Sequence, residues 1–205
     1  MLATGTSAVD PHALRRRYSA AAAWGAFGAT LLMAIFLGVR EDLSAATRLP
    51  MFWVKLAFPV ALAASALIAL ARLSRPGMTL ARLPAVIAAP VIAVWLIALV
   101  TLVSAQPGER TALVFGDTWA ACLVNIPFLS VPAWIALAWA LRAAAPTRPA
   151  LTGGTAGLAA GALGAAVYAL HCPEIEAPFI GLWYVLGMLI PAGAGAIAGS
   201  RLLRW

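Results

Sequence analysis

The sequence predicts an all-α membrane protein of six transmembrane helices with both termini cytoplasmic, and three observations carry that prediction. Of its 205 residues, 63% are hydrophobic and only 10% charged, and the mean hydropathy is +0.94, more than a water-soluble domain usually tolerates. The apolar residues gather into six runs of the roughly 20 residues a helix needs to cross the hydrocarbon. Basic residues are spread unequally over alternate ends of those runs. Helices are expected over a barrel because the runs are continuously apolar, without the alternation of a membrane strand.

The first span is predicted at Tyr18–Val39. It follows Arg15-Arg16-Arg17 and imitates a signal peptide, but it continues for a full span with no small-residue cleavage site before Glu41, so it is expected to stay. Phe52–Ala71 and Leu83–Val103 form the second and third, with Pro59 and Pro90 as kink positions. The fourth, Thr118–Leu141, carries Cys122, Asn125, Pro127 and Pro132. The fifth, Ala150–His171, has Gly153, Gly157 and Gly161 on one stripe, where a neighbouring backbone can approach closely, and Pro173 prevents its normal continuation. The sixth, Phe179–Gly199, repeats the small-residue pattern loosely through Gly187, Gly193, Gly195 and Gly199, around Pro191. Residues 1–17 are left as a short cytoplasmic segment and 18–205 as one transmembrane domain.

Charge sets the expected orientation. Arg15, Arg16, Arg17, Arg72, Arg75, Arg82, Arg142, Arg148, Arg201 and Arg204 fall on one side, against Arg40, Arg48, Lys55 and Arg110 on the other. The acids lean the opposite way: Asp10 stands alone on the basic side, with Glu41, Asp42, Glu109, Asp117, Glu174 and Glu176 across from it. The net charge of +7 is therefore read as a topology signal and an attraction to anionic lipid, with no direct nucleic-acid contact expected.

Cys122 and Cys172 are the only cysteines, and the topology brings both to the outer face at similar depth, where an oxidising compartment lets a disulfide persist. A paired thiol in a chain with little other chemistry points to a sensor rather than an enzyme. With His171 and Glu174 the two sulfurs also make a candidate metal set, Cys122, His171, Cys172 and Glu174, suited to copper, cadmium or zinc held transiently, with no constitutive cofactor. The ordinary reading stands beside it, because no Cys-x-x-Cys or His-x-x-x-His spacing pre-forms a site and membrane helices carry scattered cysteines as small apolar residues. Lys55 is read as a snorkelling anchor, with a counter-ion for Asp117 or Glu174 as the sharper idea. Asn125 is expected as interhelical glue or as a partner of the thiol site. Trp53, Trp119, Trp183 and Tyr184 fit an outer interface belt and Trp205 an inner one.

Several stretches together resemble one family. Phe52-Trp-Val-Lys-Leu-Ala57, Trp119-Ala-Ala-Cys-Leu-Val-Asn-Ile-Pro127, Thr147-Arg-Pro-Ala-Leu151, the run Gly161 to Glu174 ending Leu-His-Cys-Pro-Glu, Trp183-Tyr184 and Arg201-Leu-Leu-Arg-Trp205 are similar to the NrsF-type membrane anti-sigma factors of Proteobacteria. The resemblance implies a multi-pass inner-membrane regulator that holds an extracytoplasmic-function sigma factor inactive until a metal or oxidant stress is perceived through Cys122 and Cys172. Docking is expected on the cytoplasmic face, through Leu2, Arg15, Arg16 and Arg17 and the Arg72–Arg82 and Arg142–Arg148 loops. The family pattern begins with a few more residues of an acidic, leucine-bearing segment, so a start upstream of Met1 is also expected. Two competing classes are a small metal or metabolite transporter, which needs a polar path through Ser65, Asn125, Ser130 and Thr155, and a membrane thiol oxidoreductase.

Overall fold

Alanine and glycine dominate the fifth apolar run, and this decides how the bundle is built. In the computed structural model, which describes residues 13–75, 82–142, 146 and 148–202, six helices are long and apolar enough to cross a membrane. They are Ala13–Leu37, Pro50–Leu73, Leu83–Ser104, Arg110–Leu141, Pro149–Tyr168 and Ala177–Arg201, called spans one to six below. No strand occurs among the described residues. Span five, the smallest in cross-section, is the most buried and touches spans one, two, four and six. Span three packs mainly along span two and the start of span six, leaving Trp95, Val100 and Val103 exposed for lipid.

The glycine stripe places backbone against backbone. A Cβ added at Gly153 would strike the carbonyl oxygen of Gly195, one at Gly157 that of Pro191, and one at Gly199 that of Pro149. Spans five and six therefore meet without intervening side chains, as small-residue seams allow. On its other side span five approaches span four, where a Cβ at Gly164 would lie 2.9 Å from the Ile126 carbonyl oxygen. Pro59, Pro90, Pro127, Pro132 and Pro191 all sit inside helices that continue through them, as membrane helices tolerate.

Three features differ from the sequence reading. Span one starts at Ala13, so Arg15, Arg16 and Arg17 lie in its first turns rather than in a separate leading segment. Span four is broken: the short helix Arg110–Phe115 stops at Gly116, whose φ of 51° suits a residue without a Cβ, and the chain re-enters helix at Trp119. Finally, Met33–Leu37 and Ile180–Tyr184 are π-helical turns, which widen the helix by one residue and often mark functional positions.

The buried side chains form two clusters, one at each end of the bundle. Tyr18, Leu70, Leu137 and Leu141 belong to the cluster at the end where span one begins, and there the Tyr18 hydroxyl bonds Ser74 at 2.7 Å. The other contains Met33, Phe58, Ile126, Tyr168, Tyr184 and both cysteines. At this second end the joints between spans one and two, three and four, and five and six converge.

Candidate functional site

Helix register carries Cys122 to the core. It lies one turn into Trp119–Leu141, on the buried face with Ile126 and Leu129. Cys172 is placed by a helix ending. The last turn of span five closes with the amides of His171 and Cys172 both bonded to the Tyr168 carbonyl, and Pro173, which has no N–H, turns the chain away. Both cysteines are fully buried and unbridged, and their side chains interact directly within one apolar cluster. The structure thus brings the two sulfurs together.

Polar groups from four other places surround them. The Cys122 thiol donates to the Tyr168 hydroxyl at 3.9 Å, and Asn125 stands close to the same hydroxyl, beside the thiol site where spans four and five meet. Tyr184, on the π-helical turn that opens span six, faces Cys172 with a fully buried hydroxyl that has no well-formed hydrogen bond. The Glu174 backbone lies close enough to the Cys172 sulfur to favour its charged form. Outside the spans, the neighbouring Cys122 thiol holds the Cys172 thiol below the ordinary thiol range against the opposing cost of burial, and the Lys55 ammonium acts in the same direction.

Lys55 is neither a snorkelling anchor nor a carboxylate's partner. Its side chain is 0% exposed, and its ammonium donates at 2.6 Å to the carbonyl oxygens of both Cys172 and Glu174, 5.6 Å from the Tyr184 ring centre. The snorkelling expectation failed because the 172–174 turn folds over span two and supplies oxygens within reach of the inward-pointing stem. Arg40 adds a second cation to the same place: its Nη1 donates to the Cys172 carbonyl at 3.2 Å, while Nε and Nη2 grip Asp42 at 2.6 and 2.7 Å. That pair raises the pKa of Arg40 and lowers that of Asp42.

The four-residue metal set does not gather around the sulfurs. Among the described residues no group of three or more His, Cys, Asp or Glu side chains is arranged to hold a metal ion. The His171 ring is drawn away to the Gly38 carbonyl, with Nδ1 at 3.0 Å, and the Glu174 carboxylate accepts from the Asp117 amide at 2.9 Å. The thiol pair alone could offer two sulfur ligands to a soft ion; four-coordinate zinc would need both departed groups to return.

The remaining expectations divide. Trp53 and Trp119 are exposed at this end as an interface belt requires, whereas Trp183 is 8% exposed and Tyr184 wholly buried. Both belong to the core, with the Trp183 indole donating to the Val114 carbonyl at 2.8 Å and stacking 4.8 Å from Trp119. Arg15 and Arg16 are exposed, and Arg17 lies over the Trp139 ring at 5.4 Å. Leu2 and Trp205 lie outside the described residues, as does most of each basic loop. The hydroxyls of Ser65, Ser130 and Thr155 bond carbonyls of their own helices, so the polar path a transporter needs is not built from them. Tyr168 and Tyr184 were missed as site residues. Tyr168 had a legible signal, standing four residues before Cys172 and so on the same helical face.

Comparison with known proteins gives concordant results. Residues 2–205 match the family described as negative regulator of sigma F, NrsF. A probable anti-sigma-F factor NrsF of Azospira oryzae is 53% identical over 205 residues, covering 100% of this chain and 96% of that protein. An anti-sigma-F factor NrsF of Caulobacter vibrioides is 38% identical over 203 residues, covering 98% and 92%. No solved structure matches the chain significantly.

Proposed function

The chain belongs to the NrsF family of negative regulators of sigma F, and from that premise we propose that it is an inner-membrane anti-sigma factor that sequesters an extracytoplasmic-function sigma factor and releases it when Cys122 and Cys172 react. Both termini face the cytoplasm in this reading, and the thiol end faces outward. The observation that carries it is the meeting of the chain's two cysteines, 50 positions apart, as fully buried, unbridged thiols within one cluster.

Hypochlorite balances the chemistry of release: two thiols and one hypochlorous acid give a disulfide, chloride, a proton and water. A copper(I) or cadmium(II) ion bound by the two sulfurs, with release of the thiol protons, is the other trigger that the pair can accept. Either must favour one helix arrangement over another, because a ligand indifferent to conformation moves no equilibrium. Turning a 1:99 population to 99:1 takes about 5.5 kcal/mol. A disulfide contributes about 2–4 kcal/mol, so the rest must come from repacking around Tyr168 and Tyr184.

The test is a transcriptional reporter for the cognate sigma factor in cells carrying Cys122→Ser or Cys172→Ser, challenged with hypochlorite, cadmium and copper. Each substitution is expected to abolish induction while basal repression persists. An undiminished response in both strains removes the thiols from the mechanism. Co-purification of the sigma factor with the intact protein, and its loss on exposure to oxidant, tests the partner separately.

A further inference from the structure

We propose that Lys55 is the positioning residue of the thiol pair: by gripping the carbonyl oxygens of Cys172 and Glu174, its buried ammonium keeps the Cys172 sulfur against Cys122 and sets how readily the two close into a disulfide. This rests on the reading of Cys122 and Cys172 as a reactive pair and adds the group that holds them in register.

The first argument is the cost of the charge. An ammonium taken out of water is several kcal/mol dearer than one at the headgroups, and Lys55 stands near an end of span two, where its stem could reach those headgroups. It is nevertheless fully buried, and no carboxylate pairs with it among the described residues. Both of its hydrogen bonds end on the 172–174 turn. The side chain therefore holds that turn rather than neutralising an acid.

The second argument is that, beyond Arg40 and the bonds of the Glu174 carboxylate to the Asp117 amide and Thr118 hydroxyl, the turn has little else to hold it. After the Cys172 amide closes the last helical turn on Tyr168, residues 173–176 donate no backbone hydrogen bond to another backbone group among the described residues, and helix resumes only at Ala177. Pro173 removes one donor outright. The oxygens that Lys55 binds flank the proline on both sides, and the negative end of the span-five helix dipole reinforces their pull on a cation. Cys172 and Glu174 flank Pro173, so holding both carbonyls fixes the backbone from which the Cys172 sulfur projects. Arg40 shares the Cys172 carbonyl at a longer 3.2 Å and spends its other nitrogens on Asp42, so the grip on both oxygens belongs to Lys55.

Two thiols held together behave as if at high local concentration, and that concentration is measurable. The purified full-length protein is equilibrated in glutathione buffers, where the pair and one oxidised glutathione give the disulfide and two reduced glutathiones. The Cys122–Cys172 bond is then quantified by mass spectrometry after acid quench. Lys55→Met is expected to lower the equilibrium constant at least tenfold, which moves the potential about 30 mV less negative. Lys55→Arg, which keeps a cationic donor, is expected to recover most of the loss. A purely structural lysine would change thermal stability without moving the potential. Lys55→Gln, with an amide that still donates, serves as a second variant.

A wild-type potential in folded Lys55→Met or Lys55→Gln overturns the proposal, as does failure of every Lys55 variant to fold, which would make the residue a folding determinant. The measurement uses isolated protein. A reporter indifferent to the cysteines therefore defeats the sensing role without touching this result, and an unmoved potential defeats Lys55 without touching the sensing role.

Discussion

At the scale of single residues, the site is unusual in what its polar atoms lack. The Tyr184 hydroxyl is buried without a well-formed hydrogen bond, and such a group costs about 1–3 kcal/mol of desolvation that no partner returns. Tyr184→Phe is therefore expected to leave stability unchanged or raise it by about 1 kcal/mol, read by thermal unfolding in detergent. A loss above that size would mean the hydroxyl has a true partner in Cys172. The Arg40–Asp42 pair carries a pH dependence of definite sign. Arg40 depresses the Asp42 pKa, so the pair's contribution is present above the ordinary aspartate value of about 3.9 and lost as pH falls below it. Amide protection in the 38–46 joint, measured by hydrogen exchange, is expected to fall below about pH 4 and to fall at all pH values in Asp42→Asn. At this scale the sequence located the sulfurs, because two cysteines at the same expected depth stand out against an apolar background. It misassigned Lys55 and Tyr184, since a lysine or tyrosine near a span end reads as an interface residue until one knows that the 172–174 turn folds inward over it.

Elements show the reverse balance. All six spans were legible to within a few residues at most ends, because hydropathy over a 20-residue window survives errors at its margins. The π-helical turns at Met33–Leu37 and Ile180–Tyr184 were not legible: one inserted residue leaves composition and apolarity unchanged. The second of these turns sets Trp183 and Tyr184 in the core, and a sequence pattern that assumes an unbroken 3.6-residue period cannot anticipate it. The glycine stripe was both legible and structural, and its positions are not equivalent. Gly157→Ala would drive a methyl into the Pro191 carbonyl and against Ala192 Cα at 2.9 Å, both backbone atoms that move only with the helix. Spans five and six must then separate, at a cost of about 1–3 kcal/mol. Gly193 meets nothing within 4 Å, so Gly193→Ala is expected to be neutral or to stabilise by up to about 1 kcal/mol through helix propensity. Paired unfolding curves in one detergent separate the two; equal losses would show that the seam is not where stability resides.

For the whole molecule the decisive quantity is which end faces the cytoplasm, since the proposed thiol trigger and the proposed sigma-factor contact lie on opposite sides of the membrane. The thiol end carries Arg40, Arg48, Lys55 and Arg110, but the fold uses two of them internally: Lys55 is wholly buried and Arg40 is locked between Asp42 and the Cys172 carbonyl. Arg48 and Arg110 remain exposed there. The opposite end keeps Arg15, Arg16, Arg17, Arg72, Arg75, Arg82, Arg142, Arg148 and Arg201. Folding therefore sharpens the positive-inside asymmetry beyond what the residue count suggests, and supports an inward-facing arginine end. The expected labelling pattern follows in a background with both native cysteines replaced by serine. Arg48→Cys should react with a membrane-impermeant maleimide in intact spheroplasts, and Arg142→Cys only after the membrane is opened. The reverse pattern would put the thiol pair in the reducing cytosol, where a disulfide is not maintained, and would leave the exposed arginine end on the side where no sigma factor exists.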